Sequence, residues 1–140
     1  MLVIGLKFLH FLALFAAGGL GIGGAIVQSA LIKAGQAPSA ALGRALRLLS
    51  IIGLIAIVTL WITGVGLAHA LYGGLGINTA FGIKLGGASL VLASAVLSNL
   101  HLAKAVRLSQ VPNRAYLKPL MTLSRLGLVV ALVAVAAAFR

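Results

Sequence analysis

The chain has 140 residues, 62% of them apolar, with 11 Lys or Arg, no Asp or Glu and no Cys. It therefore lacks a carboxylate general base, a Ca²⁺ or Mg²⁺ cage, a disulfide and a thiolate metal site. A mean hydropathy of +1.22 with 8% charged residues cannot cover a water-facing surface.

The composition thus predicts an all-α integral membrane protein, with residues 1–140 forming one domain. The net charge of +11 carries no nucleic-acid signature, because the cations flank apolar runs and form no stripe on a polar face.

A helix needs about 20 apolar residues to cross ~30 Å of hydrocarbon, so the cations serve as rulers. There are 25 uncharged residues between Lys7 and Lys33, 36 between Arg47 and Lys84, and 19 between Lys84 and Lys104. The last run, 126–139, has only 14 residues and must borrow upstream to Pro119, which places Arg125 inside the membrane. These spacings predict a four-transmembrane-helix bundle with helices over about 3–28, 46–71, 80–103 and 118–139.

Breaks fall between the predicted helices. Ala37-Pro38-Ser39 interrupts the first connection, with Ser39 as an early alternative start for the second helix. A Gly-rich turn over 72–79 ends in a plausible N-cap, and Val111-Pro112-Asn113 breaks the third connection. A cleaved signal peptide is not expected, since the first apolar segment is long and no hydrophilic domain follows it.

Seven cations, Lys33, Arg44, Arg47, Lys104, Arg107, Arg114 and Lys118, gather in the first and third connections. Lys7, Lys84 and Arg140 fall on the opposite side. The positive-inside rule then predicts cytoplasmic connections and both termini on the non-cytoplasmic side. Gly19-xxx-Gly23 and Gly82-xxx-Gly86 are small-residue faces suited to close helix approach, and a Gly face could also support a homodimer. The dense glycines at 18, 19, 21, 23 and 24 could alternatively give clearance to a flat cofactor.

Five ionisable residues fall within the spans: His10, His69, Lys84, His101 and Arg125. His10 sits about 10 Å below the outer end of the first helix, Lys84 about 6 Å below that of the third, and His69 in the last turn of the second. Because helical side chains lean toward their own N-terminus, Lys84 and His10 tilt outward and His69 inward, toward one shared layer. His101 and Arg125 are expected in a second layer near the cytoplasmic face. Ser89, Ser94, Ser98 and Asn99 read as interhelical hydrogen-bonders, and Trp61 as a packing residue.

Imidazole is a common metal ligand and an axial ligand of haem iron. A haem b site needs one or two axial nitrogens, apolar walls, small residues beside the ring and cations for the propionates. His10 with His69 or Lys84, the Leu/Ile/Val surround, the dense Gly, and Arg125 or Lys84 supply these, with His10 and His69 as the metal candidates. Arg125 has no acidic side chain in its own chain, so its counter-ion must be lipid phosphate, a cofactor carboxylate or another subunit.

The segment Leu6-Lys7-Phe8-Leu9-His10-Phe11 with Gly18-Gly19 resembles the first helix of the small HemJ-type and CopD-like membrane proteins. Arg47 with Thr63-Gly64-Val65-Gly66-Leu67 is similar to their second helix, and Phe81-Gly82-Ile83-Lys84-Leu85 to the opening of the third. The last helix carries Ser124-Arg125-Leu126-Gly127 where that family has Asn-Glu-x-Pro.

The resemblance implies a haem b-binding four-helix bundle of a bacterial-type inner membrane, with His10 and Lys84 as functional positions. In the HemJ branch it also implies oxidation of protoporphyrinogen IX. The expected function is therefore a redox role in electron transfer or porphyrin oxidation, with a porphyrin or quinone as partner. The alternative is a non-catalytic accessory subunit packing against a larger membrane complex.

Overall fold

The computed structural model describes residues 1–36, 39–76, 78–108 and 113–138. The breaks expected at Ala37-Pro38 and Val111-Pro112, and Arg140, lie outside the described residues. The chain is all helical, in the order α1 (Leu2–Lys33), α2 (Ala40–Tyr72), α3 (Thr79–Arg107) and α4 (Arg114–Ala138). Three of the four, α1, α2 and α3 as far as Ala105, are long and apolar enough to cross a membrane. In α4, Lys118 and Arg125 interrupt the apolar sequence.

Every helix but α4 runs past the limits expected from bilayer thickness, and α4 starts four residues early, at Arg114. The reason is local. A helix continues until a cap ends it, whatever solvent surrounds it. The Ser39 hydroxyl accepts the Leu42 amide at 3.3 Å and starts α2 well before residue 46. Asn78 accepts the Phe81 amide at 2.8 Å, as expected of the turn's end. Asn113 accepts the Ala115 amide at 3.0 Å. Gly73 ends α2 in the left-handed region at φ 73°, where a side chain would be strained. At 33 residues α2 is about 50 Å long, so it projects beyond the ~30 Å hydrocarbon.

The helices pack in series, α1 on α2, α2 more sparsely on α3, and α3 on α4. Among the described residues α1 does not contact α3 or α4. The arrangement is thus two tight hairpins joined along a looser seam, and α1 and α4 do not close it into a ring. Neighbours run antiparallel, since His10 meets Thr63 while Leu6 lies beside Gly66. Lys33, Arg44, Arg47, Lys104, Arg107 and Lys118 consequently lie toward one end, here called the connection end, and Met1 lies at the other.

The tightest contact is between α3 and α4. A Cβ on Gly87 would stand 2.8 Å from the Gly127 carbonyl oxygen, and one on Gly127 would stand 3.0 Å from the Gly87 carbonyl oxygen. The glycines at 19, 23, 82 and 86, expected to face a neighbouring helix, have open space at their Cβ positions. What selects Gly87 and Gly127 is heptad register. Leu117, Leu120, Ser124, Gly127, Ala131 and Ala134 form an alternating three-four stripe that is the covered side of α4.

Elsewhere large apolar side chains are exposed, including Phe8, Phe11, Phe15, Ile22 and Ile26 on α1 and Val129 and Val133 on α4. In lipid such a surface costs nothing, and packing among the helices rests on small residues and interhelical hydrogen bonds.

Candidate functional site

The α1–α2 interface holds one polar contact of particular chemistry. His10 Nδ1 lies 2.9 Å from Thr63 Oγ1, and Thr63 is only 3% exposed. The Thr63 hydroxyl has one proton, and it is directed at its own helix, 2.7 Å from the Thr59 carbonyl and 3.3 Å from that of Leu60. Toward His10 the Thr63 oxygen is therefore an acceptor, so Nδ1–H donates. In the neutral ring this leaves Nε2 as the nitrogen with a lone pair. Gly64, whose added Cβ would lie 3.5 Å from His10 Cε1, lets the imidazole rest against α2.

Axial levels follow by counting from the cross-helix contacts at about 1.5 Å per residue. On α3, the Ser50–Asn99 and Trp61–Ser89 contacts set Thr63 opposite Gly86 and Gly87. Lys84 is therefore only about 4 Å from the level of His10, on the termini side. Lys84 is half-buried, with its ammonium 5.4 Å from the centroid of the Phe81 ring.

His69 is six residues beyond Thr63, about 9 Å further toward the termini end, and is exposed. Its Nδ1 lies 3.3 Å from the Val65 carbonyl, so the ring leans toward the helix N-terminus as expected. The structure thus sets Lys84 about 4 Å and the His69 backbone about 9 Å from the level of His10, both toward the termini end.

Arg125 and His101 do not share a layer. His101 stacks on Tyr116 with ring centroids 4.7 Å apart, and its Nε2 accepts the Asn113 amide at 3.1 Å. Arg125 is nine residues past Tyr116, about 14 Å along α4, and is exposed. His101 is a bridge between α3 and the start of α4.

Among the described residues no three His, Cys, Asp or Glu side chains gather as a metal-ion site. Of the α3 polar residues, Asn99 accepts from the Ser50 hydroxyl at 3.1 Å and Ser89 accepts from the Trp61 indole N–H at 3.3 Å. Trp61 is thereby a hydrogen-bonding residue as well as a packing one.

Thr63 is the residue that sequence reasoning did not assign to the site. The available signal was an Nδ1 proton in an apolar span, which requires an acceptor on a neighbouring helix. No protein-family model, curated protein or solved structure matches this chain.

Proposed function

We propose that this chain is a multi-pass protein of a bacterial-type inner membrane that binds haem b through His10 and serves a redox role. The observation that carries this reading is the His10–Thr63 hydrogen bond, with the Thr63 proton committed to its own helix. Ligating histidines commonly donate their second ring N–H to a fixed acceptor, which sets both tautomer and ring orientation. His10 has that arrangement, and its Nε2 suits an axial position on iron.

Lys84, at nearly the same level, is a candidate either for the second nitrogen, as the neutral amine, or for the cation that meets a propionate. His69 is the other candidate for the second axial position, and Arg125 the other cation for a carboxylate. Bound haem b would supply one-electron chemistry toward a porphyrin or quinone in the bilayer. His10, with Lys84 or His69, would hold the group, and Thr63 would orient the imidazole. The connections are placed in the cytoplasm, with both termini outside and α4 as a fourth span, on the strength of the basic residues at the connection end.

The test is a reduced-minus-oxidised absorption spectrum of detergent-purified protein, repeated with His10→Ala, His69→Ala and Lys84→Ala. The expected result is a Soret band in the parent, lost in His10→Ala. A parent protein without that band after haem-replete expression overturns the proposal. A second reading, a non-catalytic accessory subunit packing against a larger membrane complex, draws on the row of helices ending in α1 and α4, which do not contact each other among the described residues. It predicts a stoichiometric partner in mild detergent and no spectral change in His10→Ala.

A further inference from the structure

Toward the connection end the sparse α2–α3 seam holds a groove of about 240 Å³, and a second of about 550 Å³ adjoins it along the end of α3. The narrower is walled by Ile51, Leu54, Val96 and Leu100, with Arg47 at its rim and Asn99 in its wall. The wider shares Leu100 and Ala103 with it and is rimmed by Lys104 and Arg107. Arg47, Lys104 and Arg107 are all exposed. The Ser50–Asn99 contact sets Arg47 level with Leu102, so Arg47 at the rim of one groove and Lys104 at the rim of the other lie about 3 Å apart in level, with Arg107 about one turn further out.

We propose that this cleft is a binding site for an anionic phospholipid, with its phosphate between Arg47, Lys104 and Arg107 and an acyl chain between Ile51, Leu54, Val96 and Leu100. Charge complementarity selects the occupant. The two adjoining grooves together have three cations at their rims and apolar walls below, in a chain with no acidic side chain to neutralise them. A wholly apolar ligand would leave those cations unused, and a soluble anion would leave the apolar walls uncovered.

Depth fits as well. Asn99 is five residues from Lys104, about 7.5 Å toward the hydrocarbon, which is the offset from headgroup to glycerol ester. One Asn99 amide hydrogen goes to the Ala95 carbonyl at 3.0 Å. Among the described residues the other has no protein partner and can donate to an ester carbonyl. A lipid seated here would fill the seam between the two hairpins. The proposal does not depend on haem binding.

The single tryptophan, Trp61, lies on the same α2–α3 seam and reports on it. The experiment reconstitutes the full chain in phosphatidylcholine vesicles and compares quenching by dibrominated phosphatidylglycerol with that by dibrominated phosphatidylcholine. The parent is expected to favour the anionic lipid about fivefold or more, since each cation near a headgroup contributes roughly that factor. The variant Arg47→Gln/Lys104→Gln/Arg107→Gln should lose the preference. Lys33→Gln/Arg44→Gln/Lys118→Gln, which removes the same charge from the same end, should keep it.

Equal quenching by the two lipids in the parent overturns the proposal whatever the variants do. So does equal loss in both triple variants, which would reduce the preference to bulk attraction. An unchanged Trp61 emission maximum in pure phosphatidylcholine verifies that each variant is folded.

Discussion

Gly87 and Gly127 meet backbone to backbone, each lying where a Cβ on the other would strike a carbonyl oxygen at 2.8 or 3.0 Å. Carbonyl oxygens on a helix cannot swing aside as a side-chain tip can, so any side chain at either position must push α3 and α4 apart. The contact explains how two helices with few large buried side chains hold together where lipid removes the hydrophobic driving force.

The first prediction follows from that contact. Gly87→Ala should destabilise the protein by about 1–3 kcal/mol, as overpacking does in a close-packed core. Gly19→Ala, with open space around its Cβ, should lie within about 0.5 kcal/mol of the parent. Equilibrium unfolding in mixed micelles measures both, and an unperturbed Gly87→Ala protein would contradict the register.

If His10 ligates haem as proposed, Thr63 should matter to that binding through its hydrogen bond to the imidazole. Thr63→Val keeps the shape but removes the acceptor for His10 Nδ1–H, and haem affinity should fall about 10–100-fold. Thr63→Ser should restore most of it. Titration followed at the Soret band reads the affinity directly, and parent-like binding by Thr63→Val would show that the hydrogen bond does not orient the ligand.

Ser50 and Asn99 tie the two hairpins across their weakest seam. A double-mutant cycle of Ser50→Ala and Asn99→Ala should give a coupling of about 0.6 kcal/mol, the average for such bonds within membranes. Purely additive effects would mean that the bond makes no net contribution.

Because the chain has no Cys, single thiols report membrane sidedness cleanly. Gln36→Cys should react with an impermeant maleimide only from the cytoplasmic face, and Gly74→Cys only from the opposite face. The reverse pattern would invert the proposed topology, and labelling of both from one face would break it.

The existence and number of helices were legible because apolar length and cation spacing act locally along the chain. Helix ends were less legible. Bilayer thickness limits the apolar run, but Ser39, Asn78 and Asn113 determine where backbone amides first find acceptors. His10 and Lys84 could be placed near one depth by helix rise alone. The pairing of His10 with Thr63, 53 residues away, could not, because it depends on which face of α1 meets which face of α2.

The sequence by itself determined that this is a helical membrane protein without acidic or thiol chemistry, since composition and hydropathy require no knowledge of neighbours. Only the tertiary structure decided which glycines touch, that Arg125 and His101 are far apart, and that the helices pack in an open series. Those outcomes depend on rotation and register between helices. In a chain apolar around nearly its whole circumference, no polar face announces either one in advance.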